Sequence, residues 1–259
     1  MDKYRKLNNQ PLVFALAEFR FSPVLKIGEF IPELQEAFRK TYPLPETQQQ
    51  QSVLADNRGT NVEIKSRWSF LAGDRRSAII VDQDRMICFT QDYPRFEGFS
   101  QSCGTAIDHL KRIVDPNLLL RIGLRYGDCI RIGDDEKVKD YVDEYFDYPE
   151  VAKTLGEPEY QRDEVGISTS SGRMLIRSFY GVHPLVCMPD LQGLPGIPLP
   201  ERAPSLRILL DFDHMWDPLG PPVTFDSAEI LHLLADLHRT SRDAFWSMTT
   251  DEAKDKKWS

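Results

Sequence analysis

Arginines recur at alternating positions of one strand-like segment, and this pattern has the clearest chemical meaning in the chain. Between residues 118 and 132, apolar side chains occupy one phase of the alternation, while Arg121, Arg125 and Arg131 share the other. Guanidinium groups bind phosphates and carboxylates through parallel hydrogen bonds. A row of them on one sheet face can therefore hold an anionic ligand, a nucleic acid or nucleotide, or an acidic partner segment.

Further basic residues fall on the matching phase of neighbouring predicted strands. They are Lys65, Arg67, Arg173, Arg177 and Arg207. If these faces coincide, an acidic protein carries one basic sheet surface. The candidate binding residues are then Arg121, Arg125, Arg131, Arg177 and Arg207. The alternative is internal pairing, because Asp211 and Asp213 share the phase of Arg207, and cross-strand ion pairs are ordinary on sheets.

Two aspartates mark the nearest approach to a metal site. Asp211 and Asp213 face the same way on a predicted strand, and hard cations prefer oxygen ligands. The remaining ligands must come from elsewhere, and His232 with Asp236, on one helix face, is the closest candidate pair. We therefore expect no metal and no other cofactor, and a metal-dependent hydrolase is the last of three functional alternatives.

Nucleophilic catalysis has no supporting pattern. Residues 168–171 surround a turn without a G-x-S-x-G elbow, and Cys103 has no particular histidine predicted beside it. The glycines are spread singly, so none forms a phosphate-cradling loop. The sequence indicates no catalytic residue and favours a protein that is not an enzyme.

The C-terminal tail ends in an aromatic residue, Trp258, after a polar segment. Aromatic side chains supply a large contact area, so Trp258 is predicted to dock on the chain's own body, on another subunit or on a partner. The alternative is a frayed terminus.

The elements that position these residues are strands and helices in a repeated order. In the first half we predict a strand at 11–22, a helix near 30–42, a loop at 48–59, strands at 61–71, 76–82 and 85–91, and a helix at 97–114. In the second half we predict a strand at 118–132, an acidic helix at 138–146, strands at 163–170, 173–180 and 205–213, and a helix from the cap Asp226 to 248. A proline-rich excursion occupies 181–204.

A six-residue echo joins the two halves. The segments 24–29 and 129–134 both combine alternating apolar and basic residues with a glycine and an acid. We therefore expect an α+β fold of antiparallel sheets with helices on one face, built from a duplicated β-α-β-β-β-α unit. This resembles the saddle of TATA-binding-protein-like architectures by analogy of topology. The halves are 1–116 and 117–259, or together one continuous domain.

Composition excludes several classes. Hydrophobic residues make up 41% of the 259 residues, enough for a core, and no window approaches 18 uninterrupted apolar residues, so no membrane span is expected. The net charge of −8 disfavours whole-molecule attraction to nucleic acid. Four scattered cysteines without a C-x-x-C pair indicate a reduced, cytoplasmic setting.

Several distributed motifs resemble a sporadically distributed family of uncharacterised bacterial proteins of about this length. They include Glu18-Phe19-Arg20-Phe21, Trp68-Ser69-Phe70, Leu124-Arg125-Tyr126, Leu210-Asp211-Phe212-Asp213 and the closing segment 245–252. The resemblance implies no assigned activity, and patchy occurrence implies a conflict system such as an antiviral defence or toxin–antitoxin module. The chain departs from the family pattern at Gly127-Asp128-Cys129-Ile130-Arg131, which leaves the strand register open there.

Three functions follow as hypotheses. The first is a non-enzymatic cytoplasmic binding or regulatory protein that acts through a protein partner or self-association. The second is recognition of nucleic acid or a nucleotide on the arginine-bearing face. The third is the metal-dependent hydrolase built on Asp211 and Asp213.

Overall fold

The strands of this chain form one antiparallel sheet. The computed structural model describes residues 4–56, 59–142 and 148–259, and within 50–65 it describes the backbone alone. The strands are β1 (Leu12–Phe21), β2 (Leu44–Asp56), β3 (Gly59–Leu71), β4 (Ser77–Asp82), β5 (Arg85–Thr90), β6 (Leu118–Arg131), β7 (Tyr160–Thr169), β8 (Gly172–His183), β9 (Ser205–Trp216) and β10 (Val223–Thr224). They lie in the order β2-β3-β4-β5-β1-β6-β9-β8-β7, and β10 pairs with β6.

Four α-helices accompany the sheet in the described part of the chain. They are α1 (Ile27–Phe38), α2 (Phe96–Val114), α3 (Glu150–Leu155) and α4 (Ser227–Met248). The predicted α+β class with an antiparallel sheet is therefore confirmed. None of the described helices is both long and apolar enough to cross a membrane.

Internal duplication is not confirmed. The segment Val24–Glu29 leads into α1, which begins at Ile27, whereas Cys129 and Arg131 still belong to β6. The echo residues therefore occupy different local structures. The first half also contains an additional strand, β2, in the segment that we expected to be a loop.

The acidic helix predicted at 138–146 is replaced by a short turn. Residues Val138–Asp140 form a single 3-10 turn, and 143–147 lie outside the described residues. The short helix α3 follows, where no helix was predicted. The helix start at Asp226 is confirmed, because Asp226 Oδ1 accepts hydrogen bonds from the backbone N–H groups of Ala228 (3.1 Å) and Glu229 (3.0 Å).

The chain divides into two compact units. Unit 1 comprises Met1–Ala15, Leu124–Met215 and Asp236–Ser259; unit 2 comprises Leu16–Gly123 and Trp216–Ala235. In unit 2, α1 packs on the strands through Phe38, whose ring lies 5.3 Å from that of Phe70. The buried thiols Cys88 of β5 and Cys103 of α2 belong to the same unit.

Unit 1 has its core on the face of β9 that turns toward α4. Side chains alternate between the two faces of a strand. Even-numbered residues of β9 therefore enter the core, where the Phe212 ring lies 6.3 Å from Phe245 of α4. The core residues are Leu7, Ile130, Ile132, Tyr141, Val142, Ile208, Leu210, Phe212, Ala253 and Trp258. Odd-numbered residues of β9, including Arg207, Asp211 and Asp213, face the opposite side.

Gly127 allows a close approach between β1 and β6 within unit 1. A Cβ atom at this position would lie 2.1 Å from the Phe14 ring, closer than any real contact. The glycine therefore lets β1 bring an aromatic ring against the backbone of β6 within unit 1.

Candidate functional site

Arg125 is a buried cation with two carboxylate partners. Its Nε donates to Asp211 Oδ1 at 2.7 Å, and its two terminal nitrogens donate to Asp190 at 2.8 and 3.0 Å. Burial alone would lower the pKa of Arg125, but the hydrogen bonds with Asp190 and the charge of Asp211 outweigh it and raise that pKa. Arg125 is therefore held charged within a closed ion-pair network.

Arg177 joins the same network from the neighbouring strand pair. The register of β8 and β9 places Arg177 opposite Asp211. Arg177 Nη1 donates to Asp211 Oδ2 at 3.0 Å and to Asp213 Oδ2 at 3.3 Å, while Nε donates to Glu164 at 2.8 Å. Asp211 thus bridges two arginines, with only 2% of its side chain exposed.

Two opposing effects act on the pKa of Asp211. Burial raises the pKa of its carboxyl, and Arg125 and Arg177 oppose that rise. The two arginines favour the ionised form of Asp211, and the three side chains form one structural group.

Arg207 and Arg131 share a different carboxylate. Arg207 is fully buried and donates from Nη2 to Glu201 Oε2 at 2.6 Å and from Nε to Ser205 at 2.7 Å. Arg131 is exposed and pairs with the other oxygen of Glu201. The single carboxylate of Glu201 therefore forms ion pairs with both arginines.

Arg121 completes the predicted set and belongs to unit 2. Its Nε lies 2.6 Å from Asp217 Oδ1, in a pair that is well exposed on both sides. The five named arginines thus each have a carboxylate partner, which is the internally paired arrangement. Arg67 lies 3.8 Å from Asp82, and the side chain of Lys65 lies outside the described residues.

The proline-rich segment supplies two of these acids, which sequence reasoning missed. Asp190 and Glu201 lie between its prolines. Asp190 is 65 residues from Arg125 along the chain, whereas Glu201 is 70 residues from Arg131 but only 6 from Arg207. The segment is an ordered excursion, because it buries five apolar side chains. These are Val186, Cys187, Met188, Leu191 and Ile197. Asp190 and Glu201 are the only acidic residues of the segment 181–204, which is the signal that was available in the sequence.

The geometry around Asp211 and Asp213 does not favour a bound metal ion. Arg177 lies within hydrogen-bond distance of both carboxylates, and Arg125 of one. Across the ranges that the structure describes, no group of three or more metal-ligating side chains comes together. The two ring nitrogens of the adjacent His214 form hydrogen bonds, Nδ1 with Leu237 O (3.1 Å) and Nε2 with Thr169 Oγ1 (2.9 Å).

Trp258 docks on the chain itself. It is only 5% exposed, and its ring lies 6.1 Å from Tyr141 and 5.8 Å from Phe245. The Trp258 carbonyl accepts a hydrogen bond from the Asn9 N–H at 3.0 Å. Trp258 is part of the core of unit 1. Of the predicted docking positions, the structure shows the one on the chain's own body.

Asp128 is a buried carboxyl that stays protonated near neutral pH. Burial, together with the charge of Asp211, raises the pKa of Asp128 to about 8. His238 is shifted in the opposite sense, because burial and two neighbouring arginines lower its pKa to about 4. The two groups make stability depend on pH in separate ranges.

We expect the free energy of unfolding to fall by about 1–2 kcal/mol between pH 6.5 and 8 because of Asp128. The folded carboxyl keeps its proton up to about pH 8, whereas the unfolded one ionises near pH 4. The folded state therefore binds more protons and loses stability as pH rises. His238 acts only between about pH 4 and 6.5, where stability rises with pH.

Urea unfolding of the wild type and of Asp128→Asn at pH 6.5 and 8 measures this effect. The variant is expected to lose most of the pH dependence in that interval. An equal loss in both proteins would assign the dependence to other groups.

Strand β7 offers a different kind of site, at the end of the sheet. It pairs with β8 on one side, and among the described residues no strand pairs with its other side. Val165 and Ile167 are 41% and 39% exposed. Val165 lies opposite Ile176, which packs against the core of unit 1. Val165 and Ile167 therefore continue the helix-facing side of the sheet to its edge.

The second half of β7 lacks two of the devices that usually protect such an edge, charges and prolines. Proteins discourage pairing there with charges, prolines, bulges or a covering element. Residues 165–169 contain neither a charge nor a proline, and the charged residues of the strand lie at 162–164. Sequence reasoning located this strand but had no means of placing it at the edge.

The sequence matches no model of a known protein family, and a search of the curated proteins finds no significant similarity. The resemblance to the sporadic bacterial family stays a prediction. Function is therefore inferred from the chain's own residues and their geometry.

Proposed function

We propose that this chain is a non-enzymatic binding protein that acts through a protein partner, and that the partner docks along the outer edge of β7. The supporting observation is the open strand itself. Ten residues long, it has no strand partner on one side in the described part of the chain and exposes apolar residues near its centre.

Strand addition suits this geometry. In an antiparallel strand, backbone N–H and C=O groups that do not bond to the inner neighbour point outward. An extended segment of a partner can satisfy them, and its alternate side chains then cover one face. Apolar residues beside Val165 and Ile167 would enlarge the buried surface, so the favoured partner segment alternates apolar and polar residues.

The cellular setting is also part of this proposal. Unpaired thiols in the described residues are compatible with a reducing cytoplasm, where we place the protein. The resemblance to a patchily distributed bacterial family favours a role in a defence or toxin–antitoxin-like module. In such a role the chain would restrain or assemble another protein.

The two other functions lack a specific supporting observation. Recognition of nucleic acid needs cations that can meet phosphates, yet the five candidate arginines already face carboxylates. A hydrolase needs a metal where Asp211 and Asp213 are held by Arg177.

Replacing Ile167 with lysine is expected to lower partner binding at least tenfold, because a charge at an open edge opposes strand pairing. The matched control is Val182→Lys, which adds the same charge at an exposed position of the inner strand β8. The measurement uses a photo-crosslinking residue at Ser168 in cells of the native host, followed by identification of the crosslinked segment.

Crosslinking that is lost in Ile167→Lys and kept in Val182→Lys supports the proposal, provided that both variants unfold at the wild-type temperature. Equal crosslinking in the two variants, or none from Ser168 while other surfaces capture a partner, would remove β7 as the site.

A further inference from the structure

The sequence of β7 is suited to antiparallel pairing with a second copy of β7. We propose that a second copy of this chain pairs antiparallel with β7, edge to edge, with Gly166 at the two-fold axis. The inference rests on the proposed function, since both require that the outer edge of β7 binds a strand, and it names the occupant of that edge.

Symmetry limits the possible registers. When two identical strands extend one sheet about a two-fold axis perpendicular to it, each residue must face a residue from the same side of the sheet. One residue must then lie opposite its own copy. The choice of that central residue determines every other pair along the edge.

The register centred on Gly166 is favoured by its apolar pairs. It places Val165 opposite Ile167 of the second copy, and Ile167 opposite Val165. Because opposite apolar side chains on a sheet stabilise each other, this register gains two such pairs on the helix-facing side. A centre at Ile167 keeps only one apolar pair and shortens the paired segment.

Charges exclude the neighbouring registers. A centre at Glu164 brings two identical carboxylates face to face, and a centre at Val165 places Asp163 opposite Ile167. With Gly166 at the centre, Glu164 lies opposite Ser168 and Asp163 opposite Thr169, so no charge meets a like charge. Glu164 is already paired with Arg177 of its own copy.

The backbone at the centre is suited to a close approach. A Cβ atom added at Gly166 would make only ordinary contacts, 3.5 Å from Leu175 and 3.6 Å from Arg173. Gly166 is also not among the described residues with positive φ. A cysteine can therefore replace Gly166 without strain, which makes the register testable.

The dimer is expected to be weak. Pairing of one short strand buries less surface than the standard stable interface of about 1,600 Å². Its population should therefore rise with protein concentration. Static light scattering after size exclusion should show a mass that moves from one copy toward two as concentration increases, and Ile167→Lys should keep the mass at one copy.

Disulfide trapping tests the register directly. Purified Gly166→Cys is treated with oxidised glutathione, which accepts two electrons and two protons as two thiols form one disulfide. In the proposed register the two residues at position 166 lie opposite each other, within reach of a disulfide. The control, Ser168→Cys, has its counterpart four residues away, about 13 Å along the strand, and cannot bridge.

We expect disulfide-linked dimer from Gly166→Cys at least ten times faster than from Ser168→Cys, and none from the wild type above its background. A wild type that stays monomeric at every concentration, with no trapping at 166, would overturn self-pairing while leaving a different protein at this edge. Equal trapping at 166 and 168, or dimers that persist in Ile167→Lys, would overturn the register or the edge.

Discussion

Replacing Asp211 with asparagine is expected to lower the free energy of unfolding by about 3–5 kcal/mol. The side chain is almost completely buried, and it accepts hydrogen bonds from Arg125 at 2.7 Å and from Arg177 at 3.0 Å. Asparagine keeps the shape but removes the negative charge with which both guanidinium groups are paired. Arg125 would remain buried with Asp190 as its main counter-ion.

The pair Arg121–Asp217 provides a matched control. Its N–O distance of 2.6 Å equals that of a strong ion pair, but 36% and 50% of the two side chains are exposed. Because exposed pairs contribute little, Asp217→Asn should change the free energy of unfolding by less than about 1 kcal/mol. Urea unfolding of both variants at pH 7 measures the contrast. Similar small losses would show that the network around Asp211 is solvated and marginal.

Truncation of Trp258 to alanine should have an effect of comparable size. Loss of a buried aromatic ring costs about 3–5 kcal/mol, because the cavity that remains is only partly filled. Here the ring contacts Tyr141 and Phe245 and belongs to the core of unit 1. The change therefore reaches beyond the C-terminal segment that carries the residue.

A surface residue of the same segment serves as the control for Trp258. Lys256 is exposed and pairs with Glu252, so Lys256→Ala should alter stability by no more than about 0.5 kcal/mol. Thermal and urea unfolding of the two variants distinguish a core residue from a frayed end. Wild-type stability in Trp258→Ala would mean that the terminus is detached in solution.

Local patterns predicted much of the fold. The alternation of 118–132 corresponds to β6, and the capping residue Asp226 marks the start of α4 because both signals depend on neighbouring residues alone. The strand β2 was missed since its glutamine run lacks apolar alternation. Antiparallel pairing with β3 determines the extended structure of β2, which its own residues do not indicate.

The candidate site could be predicted only in part. Alternation correctly placed Arg125 among polar side chains of a strand, and the phase of Asp211 suggested internal pairing. The partner Asp190 was beyond prediction, because it comes from a segment without secondary-structure periodicity, 65 residues along the chain. Likewise, the position of β7 at the edge depends on the strand order, which no single segment encodes.

Hydrogen–deuterium exchange of the β7 amides tests the central claim most directly, with the wild type measured at low concentration, at high concentration and with any partner identified by crosslinking from Ser168. We predict that binding slows exchange at alternate residues of 160–169, whose N–H groups point away from β8, and that Ile167→Lys abolishes this protection. Unchanged exchange in β7, with protection confined to other surfaces of the bound protein, would contradict strand pairing at this edge.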